Sequence, residues 1–254
     1  MESAKRQFPK KPERVYFLAT CVVDIFYPEA GLAGIKLLER EGVEVLFPQD
    51  QYCCGQPAYN SGYADEARAV ARTQLRCFPE NIPVVVPGGS CAGMVRRHYP
   101  DLFAGDANEA QAVDLAGRVF ELTQFLVHVC EVAYEDLGPP TRVAWHASCH
   151  SRREMGVSSE PREIIGQLEN VELRELERER ECCGFGGTFS VRHGGISEAM
   201  ATDKARDIEN AGAEVFLTGD CGCLMNIAGR MKAMGSKPEG KHIAEFLWER
   251  INDA

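Results

Sequence analysis

Short apolar runs alternate with helix-periodic segments along this chain, and the whole alternation occurs twice. Arg14-Val-Tyr-Phe-Leu-Ala-Thr-Cys21 and Arg142-Val-Ala-Trp-His-Ala-Ser-Cys149 align at an offset of 128 residues. Both read as short buried strands that end in a cysteine. Second strands are predicted at residues 43–47 and 171–175, and third strands at 83–86 and 214–218. Helical patterns cover 31–40 and 161–168 after the first strands, and 65–75 and 197–210 before the third. Pro161 suits a first helical turn, where its missing N–H has no partner to lose. Each half closes with an amphipathic helix, marked by Thr123-Gln-Phe-Leu126 and Ala244-Glu-Phe-Leu247. The charged run 172–181 starts on a strand and continues as a solvated loop.

Strands that alternate with helices imply parallel βαβ units. The predicted fold class is therefore α/β, as two tandem Rossmann-like three-layer repeats with small parallel sheets, duplicated about a pseudo-two-fold. The predicted units are an N-terminal tail at 1–13, a first repeat at 14–138 and a second at 141–254. Gly138-Pro139-Pro140 breaks the chain between the repeats. In such sheets ligands sit beyond the carboxyl ends of the strands.

The cysteines fall at those ends. Cys21, the pair Cys53-Cys54 before Gly55, and Cys91 recur as Cys149, the pair Cys182-Cys183 before Gly184, and Cys221 or Cys223. The chain holds 11 cysteines, an odd number that cannot pair completely within one chain. Clustered thiols in a reducing compartment read as metal binding or redox chemistry. The formal charge of −10 argues against non-specific nucleic-acid binding. No secretion signal or membrane-length apolar run is visible, so the expected location is cytoplasmic, peripheral to a membrane only through partners.

Adjacent cysteines suit a cluster better than one small ion, because neighbouring side chains diverge in extended backbone. Four thiolates suffice for one [4Fe–4S] cluster. The candidate metal ligands are Cys21, Cys53, Cys54, Cys91, Cys149, Cys182, Cys183, Cys221 and Cys223. Gly55, Gly184, Gly186 and Gly187 are candidate cofactor-binding positions, where the backbone can approach a ligand closely. Cys77 and Cys130 lie in helical patterns and read as core residues. His146, inside a strand, reads as packed. His150 and His193, and the arginines at 96, 97, 152, 153 and 192, are adjacent to the cysteine motifs and read mainly as surface or packed polar groups.

The twice-repeated C…CCG…C pattern resembles the CCG-type cysteine-rich domain of iron–sulfur oxidoreductases. That family includes one of the subunits of heterodisulfide reductase, cluster-bearing subunits of glycolate and glycerol-3-phosphate dehydrogenases, and subunits for lactate utilization. CCGFGGTFSVR at 182–192 and GDCGCLMNIAGR at 219–230 most resemble the lactate-utilization branch. The resemblance implies an iron–sulfur subunit of a complex oxidising L-lactate to pyruvate. It also implies a ferredoxin-type iron–sulfur partner, a third small subunit, and an electron acceptor such as a quinone. Two other readings stand beside it: thiol–disulfide chemistry at a cluster, and a zinc-binding scaffold. The fuller family motif ends in CxxC, whereas this chain has Cys91-Ala-Gly-Met94 and Cys221-Gly-Cys223. Half two, with its additional cysteine, is expected to be the more complete site.

Overall fold

In a computed structural model, which describes residues 6–252, the chain forms two four-stranded parallel sheets. The first sheet holds β1 (Arg14–Phe17), β2 (Glu44–Leu46), β3 (Val84–Val86) and β4 (Val119–Glu121) in the order β2-β1-β3-β4. The second holds β5 (Thr141–His146), β6 (Val171–Arg174), β7 (Val215–Thr218) and β8 (Glu239–His242) in the order β6-β5-β7-β8. Tyr16 pairs with Val84 as Ala144 pairs with Phe216, so the two sheets share one register. The α/β class and the duplication are thus as the sequence predicts.

Each sheet has a fourth strand that the pattern did not reveal. β8 reads Glu-Gly-Lys-His, a polar segment with poor strand propensity. β4 is only three residues long and runs straight into a helix. Both are edge strands held by backbone pairing to a strongly apolar neighbour. The predicted helices are present at Pro28–Arg40, Ala64–Arg76, Glu160–Ile165 and Gly194–Asn210. Pro28 opens the first of these a few residues ahead of the expected start.

Strand alternation divides the core. Val15 and Phe17 of β1, with Val143 and Trp145 of β5, enter one apolar cluster between the sheets. Leu37 and Leu38 from Pro28–Arg40 fill it, as do Phe246 and Leu247 from the helix Ile243–Ile251. The opposite faces have separate cores. Tyr16 and Leu18 pack under Ala64–Arg76 in half one, and Ala144 packs under Gly194–Asn210 in half two. The repeats therefore share a middle helical layer and each keeps its own outer one.

The N-terminal segment is only partly within the described residues, which exclude 1–5. From residue 6 onward it packs on the first repeat. The Arg6 guanidinium lies 3.8 Å from the Phe120 ring centroid, and the Phe8 ring is 4.3 Å from that of His128. Cys130 is buried in the shared core, while Cys77 is half-buried just after Ala64–Arg76 and donates to the Asp50 carbonyl at 3.2 Å. Among the described residues no helix is long and apolar enough to cross a membrane.

One buried ion pair ties the chain's last helix to the segment between the repeats. Arg250 grips Asp136 with two parallel bonds of 2.7 Å, and both side chains are almost wholly buried. Burial pushes the Asp136 carboxyl up, but the Arg250 guanidinium and the N–H groups of Asn170 and Gly138 outweigh it and hold it below the usual range. Removing the arginine leaves a buried carboxylate without its counter-charge, which costs about 3 kcal/mol or more. Arg250→Met should therefore lose about that much unfolding free energy in urea at pH 7. A carboxyl with a depressed folded pKa stabilises above its unfolded value and loses that contribution as pH falls through the folded one. The gap between wild type and variant should hold at neutral pH, then narrow as pH falls through the folded Asp136 value of the variant towards the lower folded value of wild type.

Candidate metal centre

Parallel strands deliver three loops to one end of each sheet, and the thiols meet there. Cys21 opens the short helix Cys21–Phe26, with Thr20 as its cap. Cys53 and Cys54 lie in the loop after β2, and Cys91 is in the helix Gly89–Gly93 after β3. Cys54 Sγ lies 3.3 Å from Cys91 Sγ. Cys53 accepts from the Cys21 and Cys54 thiols and from the Gly55 N–H at 3.5 Å. The four sulfurs thus form a string running Cys21, Cys53, Cys54, Cys91.

Half two repeats the string as Cys149, Cys182, Cys183, Cys223. Cys183 Sγ lies 3.1 Å from Cys223 Sγ. Cys182 accepts from the Cys149 and Cys183 thiols and from the Gly184 N–H at 3.4 Å. Helix register decides between Cys221 and Cys223. Cys91 is the third residue of its helix, as Cys223 is of the helix Cys221–Met234. Cys221 occupies the first turn position, the counterpart of Gly89. It is buried against Val23 and Ala30 of the other repeat, outside the string. Of the two counterparts that the sequence left open, the helix register sets Cys223 opposite Cys91. The same register sets Met94 opposite Asn226, so neither half has a fifth cysteine at that position. The two halves carry matching four-thiol strings, with Cys221 of half two standing outside them.

The thiol electrostatics are also duplicated. Hydrogen bonds from Cys21 and then Cys54, with Gly55 N–H added, draw Cys53 well below the ordinary thiol range. The Cys53 bond in turn pushes Cys21 up, and the bonds to Cys53 and Cys91 with burial push Cys54 up. Cys182 is drawn down by Cys149, Cys183 and Gly184 in the same way, while Cys149 and Cys183 rise. The glycine after each pair is required. Gly55 and Gly184 have φ of +85° and +84°, a left-handed conformation that turns their N–H groups back onto sulfur. A side chain at either would also press on a helix carbonyl, that of Ala67 or Ser197. Gly186 and Gly187 share the left-handed conformation further along the second loop, and Gly186 lines a cleft beside Cys182.

Several partners of the thiol loops escaped the sequence reading. The carbonyl of the second cysteine in each pair is held, Cys54 by Tyr99 Oη at 3.0 Å and Cys183 by Asn226 Nδ2 at 2.7 Å. Asp220 is buried between the repeats. One carboxylate oxygen caps its own helix at Gly222 N (3.1 Å), and the other accepts from Ser90 N of the opposite cysteine helix (2.9 Å). The two CCG loops also meet, with Ser61 Oγ 2.7 Å from Thr188 Oγ1. Both strings therefore lie at one end of the molecule, braced against each other.

His146 ends β5 and is fully buried, as its strand position predicts, yet neither ring nitrogen has a hydrogen-bond partner. Burial holds its pKa down to about 3, so the ring is neutral. Among the described residues, His146, Cys183 and Cys223 are the one trio of candidate ligand atoms lying within 4.8 Å of one another. The signal available in the sequence was the repeat itself, which sets His146 opposite Leu18. His150 Nδ1 lies 3.6 Å from Cys149 Sγ, whereas His193 and Arg192 are exposed at the cleft beside Cys182. Arg96, Arg97 and Arg152 bond to the carbonyls of Ala116, Glu154 and Arg180, away from the sulfurs.

These features define a class of protein. The family model of the CCG cysteine-rich domain matches residues 15–96 and 143–228, one match per repeat and each containing a full thiol string. The lactate utilization protein A of Geobacillus kaustophilus is 46% identical over 92% of this chain and 98% of its own length. That of Shouchella clausii is 44% identical over 92% of this chain and 98% of its own. The chain belongs to the family of lactate utilization protein A, built from two CCG cysteine-rich domains. A solved Helicobacter pylori protein, described as hypothetical, shares the fold over 99% of this chain with a TM-score of 0.64 and 9% identity. This chain spans about half of that one, 52% of its length.

The thiol electrostatics make a testable pattern. An ordinary thiol has a pKa of about 8.5 and is mostly protonated at pH 6. In metal-free protein at pH 6, iodoacetamide should label Cys53 and Cys182 first, and the buried Cys54 and Cys183 last. Peptide mapping by mass spectrometry reads the order; labelling led by Cys54 or Cys183 would contradict the hydrogen-bond scheme.

Proposed function

We propose that this chain is the iron–sulfur electron-transfer subunit of a complex that oxidises L-lactate to pyruvate, with one [4Fe–4S] cluster held in each repeat. The observation that carries the reading is the duplicated four-thiol string under a left-handed glycine. The donor set suits a cluster. It is all thiol in half one, and its sulfurs are strung out beyond the mutual reach a single ion needs. Backbone N–H groups already point at Cys53 and Cys182, which favours a negatively charged centre. The orphaned nitrogens of His146 supply a further polar wall in half two.

Cys21, Cys53, Cys54 and Cys91 would hold the first cluster, and Cys149, Cys182, Cys183 and Cys223 the second. Bound there, such clusters supply one-electron transfer. Oxidation of lactate to pyruvate releases two electrons and two protons, so two single-electron sites match the electron count. The names of the relatives support lactate as the substrate. Gly55 and Gly184 orient the N–H groups, Asp220 fixes the two cysteine helices, and the buried outer cores exclude water from Cys54 and Cys183. The partners are a ferredoxin-type iron–sulfur subunit and a third small subunit, with a quinone as acceptor, acting at the cytoplasmic side of the membrane. The cleft of about 420 Å³ beside Cys182, with Arg192 and His193 on its wall, offers an approach for an anion or a partner side chain.

A single zinc ion is the competing occupant, favoured by the His146–Cys183–Cys223 trio. Zinc is spectroscopically silent, whereas a cluster absorbs near roughly 400 nm. With the partner subunits present, L-lactate should bleach that absorbance under anaerobic conditions. Unchanged spectra in the complete complex would remove lactate from the assignment. Among single variants, Cys223→Ala should lower bound iron by about half, and Cys221→Ala should leave it unchanged. The reverse result would return Cys221 to the ligand set.

A further inference from the structure

The pseudo-two-fold compares each position of one repeat with its counterpart in the other, and at one place the chemistry changes sign. In half one, β1 continues into Leu18 and β3 ends in Val86, both fully buried hydrocarbon beside Cys54 and Cys91. In half two, β5 ends in His146 and β7 in Thr218, paired directly across the sheet. Both are fully buried, and His146 Nδ1, His146 Nε2 and Thr218 Oγ1 all lack a protein hydrogen-bond partner.

Buried polar side chains are paired in the large majority of cases, so two adjacent orphans require an explanation. Ordinary packing supplies none, because the first repeat fills the same place with Leu and Val. What the two orphans share is a location on the outer face of the sheet end, and a His146 ring nitrogen lies within 4.8 Å of both Cys183 and Cys223 sulfurs. A neutral imidazole carries one N–H donor and one acceptor. Facing a thiolate-bound centre, the donor has a negatively charged acceptor in reach, and Thr218 Oγ1 is a second polar group on the same wall.

We infer that His146 is a positioning residue that donates its ring N–H to the sulfur of the second-repeat centre, so that the second centre is the better electron acceptor of the two. The inference rests on the cluster reading above. A hydrogen bond to cluster sulfur is stronger when the centre carries an extra electron, so it favours the reduced state and raises the potential. Leu18 offers no such bond, and the first centre lacks the bias. Electrons delivered to the chain would then settle on half two. This gives the duplication a direction.

The test is a redox titration followed by electron paramagnetic resonance on the anaerobically purified full chain, with iron and sulfide counted in each sample. Cys54→Ser and Cys183→Ser variants assign the signals to halves. His146→Leu, which copies the first repeat, should keep its iron and sulfide. It should lower the second-repeat midpoint by about a tenfold change in its redox equilibrium, about 59 mV for one electron. His146→Gln, which keeps an N–H donor, should recover part of the shift, and the first-repeat midpoint should not move. Leu18→His should raise the first-repeat midpoint. An unshifted second midpoint in His146→Leu overturns the inference while leaving the clusters in place. Loss of the second cluster in that variant also overturns it, by making His146 a ligand. Absence of iron and sulfide from the wild type overturns the cluster reading instead.

Discussion

Everything at the sulfur end follows from the apolar layer that the two sheets share. Each sheet is parallel and only four strands wide, too small to bury both faces alone. Val15, Phe17, Val143 and Trp145 turn one face of each sheet into the middle layer, where the helices Pro28–Arg40 and Ile243–Ile251 pack together. Because side chains alternate along a strand, fixing that face also fixes the other. Tyr16 with Leu18 and Ala144 with His146 are left to the outer faces, against which the buried cysteines lie. Burying an aliphatic side chain contributes about 1.5–3 kcal/mol, so this apolar contact outweighs any single polar interaction at the site.

The shared layer also brings the carboxyl ends of both sheets to one end of the molecule. There the repeats are locked by polar contacts that a single repeat could not make. Asp220 is the centre of that lock, because one carboxylate satisfies the first turns of both cysteine helices. Gly89 and Gly93 permit the approach: a side chain at either would run into Ser151 or Glu154 of the opposite repeat. The result is two equal four-thiol strings in one rigid frame, distinguished by what lines their outer walls.

Much of this frame was legible in the sequence. β1, β3, β5 and β7 are central strands, and their unbroken apolar runs announce themselves without help from the fold. The cysteine repeat located the loops beyond them. β4 and β8 were not legible, since an edge strand needs only backbone pairing and Glu239-Gly-Lys-His carries no apolar signature. The choice between Cys221 and Cys223 was not legible either. It depends on which turn position of a helix faces the sheet end, and a count of residues between motifs does not contain that angle. His146 was visible only by comparison with Leu18, since a lone histidine within a strand ordinarily packs and bonds to its neighbours. The role of Asp220 was not legible, because its second hydrogen bond crosses to a chain segment that no local pattern connects to it.

The central claim is that each of the two thiol strings holds a metal centre of the cluster type. It is tested most directly by counting iron, acid-labile sulfide and zinc in the anaerobically purified chain. Two [4Fe–4S] centres predict about eight iron and about eight sulfide per chain, with zinc absent. Zinc in stoichiometric amount without sulfide, or iron and sulfide at about four that persist only when half two is intact, would contradict the account.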